Sequence, residues 1–161
     1  STHLAAELFK AAAGIDIAHI PYKGSAPAVT DVIAGQVPVL VDSVASSTAQ
    51  VKAGKLKALA TTSSKRLLVL PELATVAESG YLGFQSTAWV GLLAPAGTPK
   101  AIVEQINAAV LKVMALPETR ERMAGFGAEI TTSTPDEFAA HIRSEMAKLG
   151  KVIRDANIKV N

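Results

Sequence analysis

The sequence predicts an α/β protein with a mostly parallel sheet. Three observations carry that expectation. Helical and strand-like runs alternate at short spacing over residues 1–60, the pattern of βαβ units. Hydrophobic residues make up 49% of the chain and charged ones 19%, a balance that suits a packed interior and not a disordered chain. The longest uninterrupted apolar runs, such as Leu67-Leu68-Val69-Leu70, are four or five residues, far short of the roughly 20 that a membrane-spanning helix needs.

Each element has its own signal. Over residues 1–13, Leu4, Leu8 and Ala11 or Ala12 share one helical face, Ser1 or Thr2 can cap it, and Gly14 stops it. Residues 16–21 read as a short strand ending in Pro21. Ser25 is placed to cap a helix whose stripe is Ala26, Val29, Val32 and Ile33, ending at Gly35, with Pro27 in the first turn, where its missing N–H costs nothing. Val37 to Val41 reads as a strand buried on both faces. Ser43 to Ala53 is a helix closed by Gly54, and Leu56 to Ala60 a third strand. A turn-rich stretch follows, and then one long extended candidate over 85–97. Thr98 is expected to cap a helix with Pro99 at its first position and a core stripe of Ile102, Ile106, Val110 and Val113 or Met114. Pro117 opens a short helix to about Ala124, and residues 128–132 are a candidate strand. Thr134-Pro135-Asp136-Glu137 is a capping box that starts a helix to about Asp155, with Phe138, Ile142, Met146, Leu149 and Ile153 inward. The Gly-Phe and Pro-Ala-Gly region between 83 and 97 is the best place for a boundary, dividing the chain into 1–84 and 85–161.

Charge and composition narrow the function. The net charge is only +2. The positive residues form no stripe and the seven aromatics no stacking platform, which argues against nucleic-acid binding. There are no cysteines, so disulfides, thiolate zinc sites and cysteine nucleophiles are excluded. No G-x-S-x-G, S-x-x-K or Walker A motif is present. Gly125-Phe126-Gly127 follows a helix and not a strand, so it reads as a helix-stop turn. The three histidines have no metal-ligand spacing to one another: His141 reads as a surface residue, His19 as a strand residue, and His3 lies in a helix's first turn. A start at Ser1 without Met reads as a piece of a longer chain or a processed one, and no targeting segment is visible.

The strand-to-helix junctions remain. Ligands of open parallel sheets lie beyond the carboxyl ends of the strands, where helix N-termini offer unpaired N–H groups and partial positive charge. Three junctions qualify, all expected at one sheet edge: Ser1-Thr2, Tyr22-Lys23-Gly24-Ser25 and Asp42-Ser43. The second adds the Lys23 cation and a glycine that permits close backbone approach. The third begins with an acid, better suited to a hydroxyl, an ammonium or a water. Plainer readings stand beside these: serine and threonine at a helix start are ordinary caps, Lys23 is an ordinary solvated lysine, and Asp42 can simply cap the helix after it.

At these same residues the chain resembles a family. The stretches STHLAAELF, HIPYKGSAPAVTDVIAGQV, SSKRLLVLPELATVAESGY, WVGLLAPAGTPKAIVEQIN and TPDEFAAHIRSEMAKLGKVIRDANIK are similar to the extracytoplasmic solute receptors of tripartite tricarboxylate transporters, the TctC-like or Bug receptors. The resemblance implies a two-lobed, type II periplasmic-binding-protein-like fold that closes on small di- and tricarboxylates, without cofactor or metal and without catalysis. It implies export to the periplasm and delivery of ligand to membrane permease subunits. It carries over Thr2, Tyr22, Lys23, Gly24, Ser25 and Asp42 as ligand-binding, with Ser1 and Ser43 beside them. Family members are nearly twice this long, so residues 1–84 correspond to a nearly complete second lobe and 85–161 to the returning strand and C-terminal helices of the first. Two expectations follow: weak or no ligand binding by this chain alone, and homo-association through the apolar stripes of 85–161. The alternative class is an α/β enzyme acting on a small anionic metabolite, using Ser43, Asp42 and His3 or His19. It requires a histidine within hydrogen-bond reach of Ser43 or Ser25.

Overall fold

The computed structural model describes residues 1–158, so the last three residues of the 85–161 segment lie outside it. Six helices run in chain order: α1 (Thr2–Ala13), α2 (Ser25–Ile33), α3 (Val44–Lys52), α4 (Lys100–Ala115), α5 (Pro117–Gly125) and α6 (Pro135–Asp155). Each lies where apolar periodicity and stop signals place it. Gly14 ends α1 in the left-handed conformation, its N–H closing on the Lys10 carbonyl, as a C-terminal glycine does. Thr134 and Glu137 form the complete reciprocal box at the start of α6. Thr98 does not cap α4: its hydroxyl donates to the Pro95 carbonyl at 2.8 Å, Pro99 takes the cap position, and the helix begins at Lys100. The tight turn over 95–98 uses the hydroxyl that a cap would have needed. Ser25 is likewise the first helical residue of α2 instead of its cap, which is Gly24.

The chain divides into two compact units, Ser1–Ala88 and Trp89–Asn161. In the first, Phe9 of α1 meets Tyr81 and Phe84 edge-on. The core is small: Ala5, Ala28, Val29, Leu70 and Val76, with Thr61 and Thr75 buried among them. Thr61 and Thr75 form a parallel bridge, the Thr61 N–H donating to Ala74 and the Val76 N–H to Thr61, each at 2.9 Å. Glu78 folds this corner. It accepts from the Thr75 N–H at 2.7 Å and from the Arg66 guanidinium at 3.1 Å. Those bonds, the Thr75 N–H first, hold its carboxyl below the ordinary glutamate range.

The predicted strands 16–21, 37–41, 56–60 and 128–132, and the extended 85–97 run, form no ladder among the described residues; the bridges are isolated ones. The reason is physical. A strand's backbone groups are satisfied by its neighbours, and a parallel strand needs them in register along its length. Pro38 removes a donor near the start of 37–41, and Gly91 and Pro95 interrupt 85–97. Without neighbours the apolar side chains of these segments face outward, Ile20 at 52%, Val39 at 53% and Leu59 at 68% exposure. The stripe assigned to α2 is also shifted: Ala28 and Val29 are buried, whereas Ala26 and Ile33 are exposed.

In the second unit, Trp89 meets the Phe138 ring edge-on at 5.5 Å and the His141 ring at 5.1 Å. Sequence alone places His141 at the surface. It remains exposed, but its ring belongs to this aromatic group. No described residue of the second unit is buried, and Ile102 and Ile106 of the predicted α4 stripe are 44% and 40% exposed.

Candidate functional site

The junctions singled out in the sequence all lie in the first unit, and side chains link the second to the third. At the first, Ser1 occupies the cap position of α1 yet makes no side-chain cap bond, leaving first-turn N–H groups unclaimed by it. His3, one residue into α1, stacks its ring on His19 with centroids 3.7 Å apart and planes 10° from parallel. Glu7 stands 3.6 Å from His3 Nε2, one turn along the same helix. Burial first, and the adjacent His3 ring second, lower the His19 pKa below its ordinary value. The start of α1 is thereby joined to the segment that enters the second junction.

That junction turns at Gly24, whose φ of 111° and ψ of 172° lie in a region that only glycine occupies readily. Lys23 is exposed and makes no ion pair among the described residues. Tyr22 does not join the group. Its hydroxyl donates to Asp31 Oδ2 at 2.7 Å, back along α2, and that bond raises its pKa.

Ser25 and the third junction meet directly. Ser25 Oγ donates to Asp42 Oδ1 at 2.6 Å, and Ser46 and Ser47 of α3 donate to Asp42 Oδ2 at 2.7 and 2.6 Å. Partial burial works to raise the Asp42 pKa, but these hydroxyls and the Ser43 N–H outweigh it, so the carboxylate stays ionised below its ordinary range. Ser43 sits at the cap position of α3 without a cap bond, its hydroxyl 2.5 Å from that of Ser46. An open cleft of about 560 Å³ runs between α2 and α3, lined by Ser25, Ala26, Val29, Ile33, Ser46 and Gln50 among others.

Contacts thus join α1 through His3 and His19 to the segment ahead of the second junction, and join Ser25 through Asp42 to α3. Ser46, Ser47 and Glu7 are absent from the sequence-derived set. The signal for the two serines is present in Asp42-Ser43-Val44-Ala45-Ser46-Ser47, where hydroxyls four and five residues beyond an acid return to it over one helical turn. Among the described residues, neither Ser25 nor Ser43 has a histidine partner: their hydroxyls go to Asp42 and Ser46, and the His3 and His19 rings go to each other. No group of three or more metal-ligating side chains suited to an ion occurs among the described residues, and no helix there is long and apolar enough to cross a membrane.

Comparison with known proteins decides the family. The model of the tripartite tricarboxylate transporter family receptor matches residues 1–158. The chain belongs to that receptor family. The UPF0065 protein of the tcbD-tcbE intergenic region of Pseudomonas sp. strain P51 is 38% identical over the whole chain, which covers 48% of that relative. A second UPF0065 protein, from the clcB-clcD intergenic region of Pseudomonas knackmussii, is 33% identical over the whole chain, here covering 96% of the relative. This receptor-family chain otherwise spans about half the length of the curated relatives it matches.

Solved structures agree on the fold. Rpa4515 of R. palustris, solved with adipate, superimposes with a TM-score of 0.84 at 35% identity, over 98% of this chain and 52% of that one. The periplasmic binding protein BugD gives 0.81 at 35%, over 99% and 54%. MatC of Rhodopseudomonas palustris, with bound malate, gives 0.79 at 30%, over 94% and 53%. The fold is therefore the α/β, type II periplasmic-binding-protein-like one that the sequence implies, present over about half of its full extent.

Proposed function

We propose that this chain carries part of a receptor site for small organic carboxylates that feeds a tripartite tricarboxylate transporter from the periplasm. The observation that carries the reading is the direct tie between the helix starts at Ser25 and at Asp42-Ser43 through the Asp42 hydrogen bonds, with the α1 start at Ser1-Thr2 joined by the His3–His19 stack to the segment that leads into Tyr22-Lys23-Gly24-Ser25. Family membership and the adipate and malate held by similar receptors support it. The chemistry is capture, with no bond made or broken. An anion entering here leaves water, so its oxygens need donors in return. First-turn N–H groups and Lys23 supply them, and the backbone dipoles of the helices favour the negative charge. In this reading residues 1–84 are the second ligand-binding lobe and 85–161 a portion of the first. Membrane permease subunits receive the ligand.

The family's longer members have further chain from which to complete the donor set, so this chain alone is expected to bind weakly. In a thermal-shift titration, adipate and malate raise the melting temperature only at millimolar concentration, and neutral adipamide does not. Micromolar affinity contradicts the incomplete-site expectation. Equal stabilisation by adipamide contradicts recognition of the carboxylate.

We also propose that a second copy of the chain associates through 85–161, where Trp89, Val90, Leu92, Leu93, Ile102 and Ile106 are exposed. Exposed apolar surface of this kind favours a partner. Sedimentation velocity at rising concentration should show dimers that L93E disperses. A monomer at every concentration overturns the association.

A further inference from the structure

Asp42 is well placed to touch a ligand, yet its bonding argues for another task. An ionised carboxylate offers about four lone-pair sites. The Ser25, Ser46 and Ser47 hydroxyls occupy three of them, at 2.6–2.7 Å. Little acceptor capacity is left for a ligand hydroxyl or ammonium, and a fixed negative charge repels a ligand carboxylate. The donors come from two elements: Ser25 is the first residue of α2, and Ser46 and Ser47 lie in the first turn of α3. One carboxylate therefore ties two helix starts together.

We propose that Asp42 is a positioning residue of the carboxylate site, a resident anion that sets the spacing of the α2 and α3 N-termini without touching the ligand. This inference rests on the functional reading above, which supplies the carboxylate. It also separates what the serines do. Ser25, Ser46 and Ser47 hydroxyls belong to Asp42, and the ligand meets the backbone N–H groups that the cluster holds in place.

The test compares adipate, which has no hydroxyl, with malate, which has one. Amide spectra of the ¹⁵N-labelled chain are recorded during titration with each. Asp42→Asn is expected to weaken both acids alike, by about tenfold, the factor that corresponds to one modest hydrogen bond. Simple charge repulsion predicts the opposite sign, since removing a negative charge strengthens both. Direct contact with the ligand hydroxyl predicts loss for malate alone. Either of those results overturns the proposal.

Two controls keep the fold and the site reading separate. Without ligand, Ser25→Ala should shift the amides of Val44 to Ser47 on the other helix, and Ser25→Thr, which keeps the hydroxyl, should restore them. Absence of the cross-helix shift overturns the clasp whether or not any acid binds. Wild-type chain that responds to neither acid removes the carboxylate reading and, with it, the positioning role, while leaving the clasp to be judged on its own spectra.

Discussion

Gly24→Ala is expected to destabilise the first unit by about 1–3 kcal/mol, the cost of holding an ordinary residue in a glycine-only backbone region. The effect is purely conformational. An added Cβ meets nothing within 4 Å, but the φ of 111° persists. The chain must then either carry the strain or turn differently ahead of α2. Turning differently moves Lys23, the first N–H groups of α2 and Ser25 together, so Ser25 leaves Asp42. Denaturant unfolding monitored by far-ultraviolet dichroism gives the stability loss, and the carboxylate titration gives a fall in affinity beside it. A variant within about 0.5 kcal/mol of wild type, the usual scatter of surface changes, contradicts the assigned turn.

The second large effect lies in the other unit. Gly91 runs against the ring of Phe138 so closely that an added Cβ falls 2.6 Å from Cε1 and nearer still to Cζ. Swinging the ring aside breaks its edge-on contact with Trp89 and its stacking near His141. Gly91→Ala is therefore an overpacking change, expected to cost about 1–3 kcal/mol. It should also unseat Trp89, the only tryptophan, whose emission then shifts to the red. Unchanged emission shows that the 89–91 segment does not lie on α6. Phe138→Ala in the Gly91→Ala background removes the clash and should recover part of the loss, a non-additivity expected of residues in contact.

Helices were legible because their signals are local. Gly14, Pro117 and the Thr134–Glu137 box act within a few residues of where they stand, and each falls where the structure ends or starts a helix. Ser25 and Thr98 were harder, since a hydroxyl near a helix start has several partners within reach. Asp42 claims the first and the Pro95 carbonyl the second. Strands depend on neighbours, and the runs around Ile17, Val39 and Leu59 have the composition of strands without a ladder to join.

The site shows the same division. The helix starts were readable from Ser1-Thr2, Gly24-Ser25 and Asp42-Ser43, because caps and turns are written in short motifs. What joins them was not readable. The His3–His19 stack brings together residues from α1 and the segment after it, and no spacing rule predicts a ring pair. Tyr22 shows the converse: the motif places it at the junction, but its hydroxyl follows Asp31 along α2.

The most direct test follows individual backbone N–H groups of the labelled chain while malate is added. If the helix starts receive the acid, the resonances of Thr2, His3, Ser25 and Val44 move first and saturate together, with α5 and α6 unmoved. Movement confined to exposed lysines elsewhere, or none near those four residues at saturating acid, contradicts the account.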